Sequence, residues 1–339
     1  MRRIILAAAV VAAACSVARG ATASQSSVGS LMLTGRGLGH GIGLSQWGAE
    51  ARARAGESAD DILAFYYPGT TVAGTPVSAI RVLIGEALPR VRVGGRDFVA
   101  GRVRRAVEVG AADSATRVGA TRYPGVIRVV PVAGKLDVVD VVPLEEYVAD
   151  VVSSECPGYW SEAALEAQAV ASRSYAVASL RPRRFFDVYA DDRSQNFNGL
   201  RKHLPRAVAA TRATAGHVLE YRGRVVTALF SASNGGRTSV PDGVWAADDE
   251  PYFRAVPDPF DESSPVAHWG PVRISLDAVR RAFPRVPADV VGVTVTRNAG
   301  DRVVRLRFAA ASGATVVVSG YAFQQRFGLR STFFTLDAS

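Results

Sequence analysis

The sequence predicts an α+β fold, rich in strands, with a small set of helices gathered around one glutamate. Three observations carry this. Residues 77–142 read almost entirely as β, in short runs such as IRVLI, VIRVV and LDVVDVV that are rich in branched side chains and separated by Gly and Pro. From Pro143 the apolar period changes, and Leu144, Tyr147, Val148 and Val151 follow the i, i+3, i+4, i+7 stripe of a helix that begins at a proline. A second helical pattern runs from Glu162 to about Leu180. The chain has 339 residues, 48% hydrophobic and 21% charged, a globular balance with material for one large domain or two intimate ones.

The N-terminus reads as an export signal over residues 1–23. Arg2 and Arg3 precede a largely apolar run from Ile4 to Ala18, and Ala21-Thr22-Ala23 is a small-residue cleavage site. The run is short for a bilayer span, and no later stretch approaches 18 continuous apolar residues, so no transmembrane segment is expected after cleavage. Ala12-Ala13-Ala14 is a poor lipid-attachment context for Cys15. Removing the signal takes the net charge from +9 to +6 and leaves Cys156 as the only thiol, which excludes a disulfide within the monomer. Export directs the positive charge toward cell-wall polymers, peptide carboxylates or lipid head groups, with no nucleic-acid partner expected. Only Lys135 and Lys202 are lysines, and an arginine excess also follows nucleotide composition, so charge alone identifies no ligand.

A Ser/Gln linker (24–33 at its widest) leads into a strand at Leu31-Met32-Leu33-Thr34 and a glycine-rich segment, 34–72, that reads TGRGLGHGIGLSQWGA before a helix from about Ser45. Ser58 caps a second helix with Asp61 at the capping-box position and Ile62, Phe65 and Tyr66 on its apolar face. The alternating glycines suit close backbone approach, either to a flat partner such as a sugar, with His40, Ser45 and Gln46 offering hydrogen bonds, or within a tightly packed structural loop. His40 stands where a dinucleotide fingerprint needs its third glycine, which argues against a nucleotide cofactor. A β-rich region occupies 73–135, a core 136–262, and a β-rich part of the same unit 263–339. In the latter two, residues 216–230 read as a hairpin around Arg222-Gly223, and strands are expected near 290–296, 303–308 and 315–318.

Two helices frame the candidate chemistry. Pro157 stops the first, whose stripe is extended by Glu155, four residues after Val151. A carboxylate there meets the negative end of the helix dipole, and Tyr159 and Trp160 stand close enough in sequence to desolvate it. Both effects favour the protonated form that a general acid requires. The plainer reading is an ordinary helix-end carboxylate. Glu145, Glu146 and Asp150 fall off the apolar stripe and are expected to be solvated. Ser161 caps the second helix, where Ala163, Ala167, Val170, Ala171, Ser174 and Ala178 form a face of small residues suited to close packing. Beside it run Gln168, Ser172 and Tyr175, with Arg173 placed to reach either Glu155 or a ligand. Of Trp47, Trp160, Trp245 and Trp269, only Trp160 has a position that suggests stacking on a sugar ring.

At VVPLEEYVADVVSSECPGYWSEAALEAQAVASRSYAV the sequence resembles the SpoIID/LytB family, the stage II sporulation protein D and amidase-enhancer group. QNFNG (195–199), ALFSASNGGRT (228–238), PYFRAVPDPFD (251–261), FGLRSTFF (327–334) and TGRGLGHGIGLSQWGA with ILAFYYPGT also match. The resemblance implies a lytic transglycosylase acting on peptidoglycan glycan strands, with Glu155 as the catalytic acid. It also leaves open a non-catalytic, glycan-binding enhancer of a cell-wall amidase, or a hydrolase using Asp191 or Asp192 as base. Trp160, Gln168, Ser172, Arg173, Tyr175, Gln195, His40, Ser45 and Gln46 are then the expected substrate contacts. Some relatives hold zinc through His and Cys. Here FDVYADDRSQNFNG contains neither, and Asn234 stands in SASNGG where Cys is common, so no metal or other cofactor is expected. In many relatives the glycine segment comes last. Its N-terminal place here implies a circular permutation, with 35–67 packed near the C-terminal strands beside the same groove as Glu155.

Overall fold

A computed structural model describes residues 28–111, 114–201, 203–243 and 250–338. The expected export signal, Cys15 and Trp245 lie outside the described residues. Among those described the fold is mixed α+β and β-rich, with seven α-helices and several small sheets.

Helices α1 (Gln46–Arg54) and α2 (Ala59–Tyr66) follow the glycine segment. Ser58 and Asp61 cap α2 reciprocally, as the spacing requires. Helix α3 (Leu144–Glu155) starts behind Pro143 and ends at Cys156, whose extended backbone turns the chain toward Pro157. Helix α4 (Glu162–Ala178) follows, then α5 (Pro205–Ala213), α6 (Leu276–Ala282) and α7 (Gly320–Phe327).

Helix α4 lies between two cores. On one side Ala167, Val170 and Ala171 meet Leu44, Ala49, Ile62, Leu63 and Tyr66 from the glycine segment, α1 and α2. On the other, Leu165, Ala169 and Ala176 join the α3 stripe of Tyr147, Val148, Val151 and Val152 over a five-stranded sheet. Small residues let backbones approach closely here, since a larger side chain would force strain into a packed interior. The sheet runs Val188–Tyr189, Ala79–Leu88, Lys135–Pro143, Val126–Val132, Val107–Val109, and extends on its far side to a smaller core around Val93, Phe98 and Ile127. Cys156 is 4% exposed among apolar neighbours, where burial pushes its thiol well above the ordinary range.

The strand Ser30–Arg36 lies between His268–Ser275 and Phe334–Ala338, antiparallel to both. It begins at Ser30, so the linker is shorter than its widest expected extent. The three expected C-terminal strands form one sheet, Val290–Arg297, Val303–Ala310 and Thr315–Ser319. Three helices that the pattern did not announce, α5, α6 and α7, complete this region and the back of α3 and α4.

Candidate functional site

An open groove of about 960 Å³ brings the glycine segment and the α7 region to Glu155. The first wall carries Leu38, His40 and Gln46 from the glycine segment and α1. The second carries Glu155 and Tyr175 with Asp192, Arg193 and Asn196. Tyr321, Gln324 and Arg330 close it from α7 and the turn that follows.

Glu155 occupies the last residue of α3 and is half-buried. Its Oε1 accepts two hydrogen bonds from Asn196, at 3.0 Å from the backbone N–H and 2.9 Å from Nδ2. Oε1 is thereby held, and Oε2 makes no hydrogen bond among the described residues. A carboxyl fixed through one oxygen presents the other for proton transfer in a defined direction. Tyr159, 64% exposed, and Trp160, 2% exposed, do not share one surface over it.

The glycine segment reaches the groove through a buried polar framework. Ser45 caps α1, accepting the Gly48 N–H, and donates to Asp261 Oδ1 at 2.5 Å. Asp261 Oδ2 gathers Ser233 Oγ and the N–H groups of Gly235 and Gly236. Asp258 accepts from Arg52, the Tyr66 hydroxyl and Asn234 Nδ2. Arg302, fully buried, donates to the carbonyls of Gly39 and Asn234 directly beneath Gly41. Gly41 has φ +70°, and a Cβ there would run into the Arg302 guanidinium, so the position needs glycine on both counts. His40 Nδ1 accepts the Ile42 N–H at 3.0 Å, and the ring also bonds the Phe230 backbone. Burial, and then the Arg302 charge, lowers the His40 pKa to about 4. The ring is therefore neutral near pH 7 and is committed to the backbone.

Of the expected substrate contacts, His40, Gln46 and Tyr175 line the groove with Glu155. Gln46 Nε2 is enclosed without a protein partner among the described residues. The others serve the interior, and each is a correction. Trp160 packs edge-to-face on Trp47 at 5.1 Å. Gln168 donates to Ser172 Oγ, and Gln195 to the Ser172 carbonyl, all three buried. Ser45 is wholly enclosed in the Asp261 framework. Arg173 does not reach Glu155. It is fully buried, ion-paired to Glu145, and donates to the carbonyls of Thr211 and His217. Periodicity placed these side chains on one stripe but could not say that α3, α5 and the strand His217–Tyr221 cover it. Glu145 is thus paired, and Asp150, expected in solvent, is 1% exposed. Glu146 is exposed as expected. At the α4 start Ser161 makes no side-chain cap, and its N–H goes to Glu50 of α1 instead.

Asn196 and the α7 residues were not singled out from the sequence. Asn196 was detectable in QNFNG, where it alternates outward between Gln195 and Phe197, both of them buried. Ser319 before α7 and the left-handed Gly328 after it are ordinary cap signals. Among the described residues no three His, Cys, Asp or Glu side chains are grouped to hold a metal ion, and no helix is long and apolar enough to cross a membrane.

The SpoIID family model, described as stage II sporulation protein, matches residues 132–221, a stretch that contains α3, α4, Glu155 and Asn196. Stage II sporulation protein D of Bacillus amyloliquefaciens is 29% identical over 227 residues, covering 58% of this chain and 60% of that protein. The protein of the same name from Bacillus subtilis (strain 168) is 31% identical over 144 residues, 38% of this chain and 42% of the relative. An amidase enhancer from the same strain is 65% identical over 40 residues, 12% of this chain and 6% of the relative. The chain therefore spans less than two thirds of the length of each of these relatives. The match to the SpoIID family model thus falls on the helices that carry the groove, and the chain is similar over part of its length to proteins named stage II sporulation protein D and amidase enhancer.

Proposed function

We infer that the chain is an exported, cell-wall-associated lytic transglycosylase that cleaves the bond between N-acetylmuramic acid and N-acetylglucosamine in peptidoglycan glycan strands, preferentially strands without peptide stems. The observation that carries this reading is Glu155, held through Oε1 by Asn196 on one wall of an open groove of about 960 Å³. Glu155 delivers its proton to the glycosidic oxygen as the C1–O bond breaks. The resulting carboxylate then takes the proton of the muramyl C6 hydroxyl while that oxygen bonds to C1, leaving a 1,6-anhydro end and a reprotonated Glu155. The nucleophile belongs to the substrate, so no water and no second carboxylate are consumed. His40, neutral and bound to backbone, and Gln46 with Tyr175 supply the surface against which the sugars lie. The N-terminal glycine segment beside the C-terminal strands supports a circularly permuted arrangement.

Asp192 in the same groove favours a second reading, hydrolysis with Asp192 activating water. Asp191 is tied to Arg193 at 2.8 Å and is the weaker base candidate. The short, close similarity to an amidase enhancer supports a third, a glycan-binding module that assists an amidase. Mass spectrometry of glycan strands, with and without stems, decides among them when the wild type and Glu155→Gln are compared. Anhydro-muramyl ends made by the wild type alone are expected. Reducing ends would establish hydrolysis, and intact strands that still bind would establish the enhancer.

A further inference from the structure

Asp150 sits on α3 one turn before Ser154. Its Oδ1 accepts the Asn198 N–H at 2.8 Å and the Ser154 hydroxyl at 3.3 Å. Asn198 Nδ2 in turn donates to Ser154 Oγ at 3.0 Å. Two residues earlier in the same segment, Asn196 holds Glu155 Oε1. Between them Phe197, 2% exposed, lies against Tyr147 and Tyr123, with ring centroids 5.3 and 5.9 Å away. Gly199 ends the segment at φ +66°, where a Cβ would stand 2.5 Å from the Arg122 carbonyl. Residues 196–198 are thus a strap across the last two turns of α3, tied to Asp150 at one end and to Glu155 at the other. Behind it, on the strand Lys135–Pro143, Asp140 is fully enclosed, and neither of its oxygens has a partner among the described residues.

We propose that Asp150 is a positioning residue for Glu155, its buried carboxylate anchoring the Asn196–Asn198 strap and thereby setting the orientation of Glu155 in the groove. The dependence of cleavage on this anchor rests on the transglycosylase reading. The anchoring itself does not.

An ionised carboxylate accepts hydrogen bonds roughly twice as strong as a neutral one does. Two enclosed carboxyls side by side do not both ionise cheaply. Asp150 Oδ1 has two donors, whereas its enclosed Oδ2 and both oxygens of Asp140 have none among the described residues, so the charge settles on Asp150 and the proton on Asp140. Burial raises Asp150 to about 7 against the pull of its two donors, and burial with the Asp150 charge raises Asp140 to about 8. The other titratable or charged groups around the pair and the strap are Glu155 and Tyr147 on α3, Tyr175 on α4, Tyr123 on the strand Thr121–Pro124, and Arg201 beyond the strap. Among the described residues Asp150 has no ion-pair partner. The strap therefore tightens as pH rises through about 7.

The test is nitrogen–proton NMR of the mature chain with labelled asparagine, followed from about pH 5 to 9. The Asn198 and Asn196 backbone amides and the Asn196 side-chain amide are expected to share a midpoint near that of Asp150. In Asp150→Asn the shared midpoint disappears from all three. Ser154→Ala, a milder change, removes a donor that favours the charged form. It should move the midpoint upward at Asn198 and Asn196 together. An Asn196 titration that stays put while that of Asn198 moves would overturn the proposal, in either variant. A parallel assay of glycan cleavage should show kcat falling about tenfold in Asp150→Asn with KM unchanged, the loss expected from a small misplacement of the acid. Absence of anhydro product from the wild type would sink the enzymatic reading and leave the NMR result to decide the anchoring.

Discussion

Asp140→Asn isolates the energetic consequence of an enclosed carboxyl. Asp140 is 0% exposed, and burial, then the Asp150 charge, raise its pKa from the ordinary 3.8 to about 8. The folded chain binds this proton more tightly than the unfolded chain does. The stability it contributes is complete below about pH 4 and is lost as pH climbs to about 8, after which the loss levels off. At roughly 1.36 kcal/mol per pH unit, the wild type should lose on the order of 4 kcal/mol through Asp140 between pH 5 and pH 9. That is a large part of the usual stability of a domain, about 5–15 kcal/mol. Asparagine keeps the shape and cannot ionise, and the extra donor it buries adds an offset that does not vary with pH. Urea denaturation monitored by tryptophan fluorescence at five pH values gives both curves, and groups titrating in both chains cancel in the difference. The variant should be the less stable or equal at pH 5 and the more stable at pH 9. Curves that run parallel within about 0.5 kcal/mol would refute the assignment of a raised pKa to Asp140.

Two further substitutions probe the buried Arg173 ion pair and the α2 cap. Arg173→Met removes a fully buried guanidinium, leaves the part-exposed Glu145 with only the Gly216 N–H as a partner and takes a donor from the Thr211 and His217 carbonyls, so unfolding free energy should fall by about 2 kcal/mol. Unchanged stability with weakened glycan binding would instead return Arg173 to the groove. Ser58→Ala removes the hydroxyl that accepts the Asp61 N–H and donates to the Asp61 carboxylate, leaving only the backbone half of the α2 capping box, and should cost about 1 kcal/mol, read as a lower urea midpoint with an unchanged slope. A neutral result would mean that α2 is held entirely by Ile62, Leu63 and Tyr66.

Local signals made much of the fold legible. A proline at the α3 start, a proline after its end, and the capping pair at Ser58 and Asp61 each act within a few residues, and the helices begin and end where they say. Helices α6 and α7 were missed because their stripes are short. Only Leu276 and Val279 are buried among the apolar residues of α6, and Phe323 in α7. Position along the stripe identified Glu155, because a carboxylate that extends an apolar face is unusual. Burial of Asp150 was not legible, since the segment that covers it comes more than 40 residues later. The same holds for Gln168 and Ser172, whose polar stripe looks like a solvated face until Gln195 is folded over it.

The strand Ser30–Arg36 has a consequence for how the groove comes into being. Its partners are the strands His268–Ser275 and Phe334–Ala338, and Thr34 bonds Thr335 across a sequence separation of 301 residues. Chain entropy for so long a closure grows only slowly, by about 0.6 kcal/mol per doubling, so stability suffers little. Speed is another matter, because contacts this distant in sequence form late. The groove takes His40 and Gln46 from one side of that clasp and Tyr321 and Arg330 from the other, so the stretch that carries Glu155 supplies only one wall of it. A complete groove is thus a property of the finished molecule, formed only when segments from both sides of that clasp are in place.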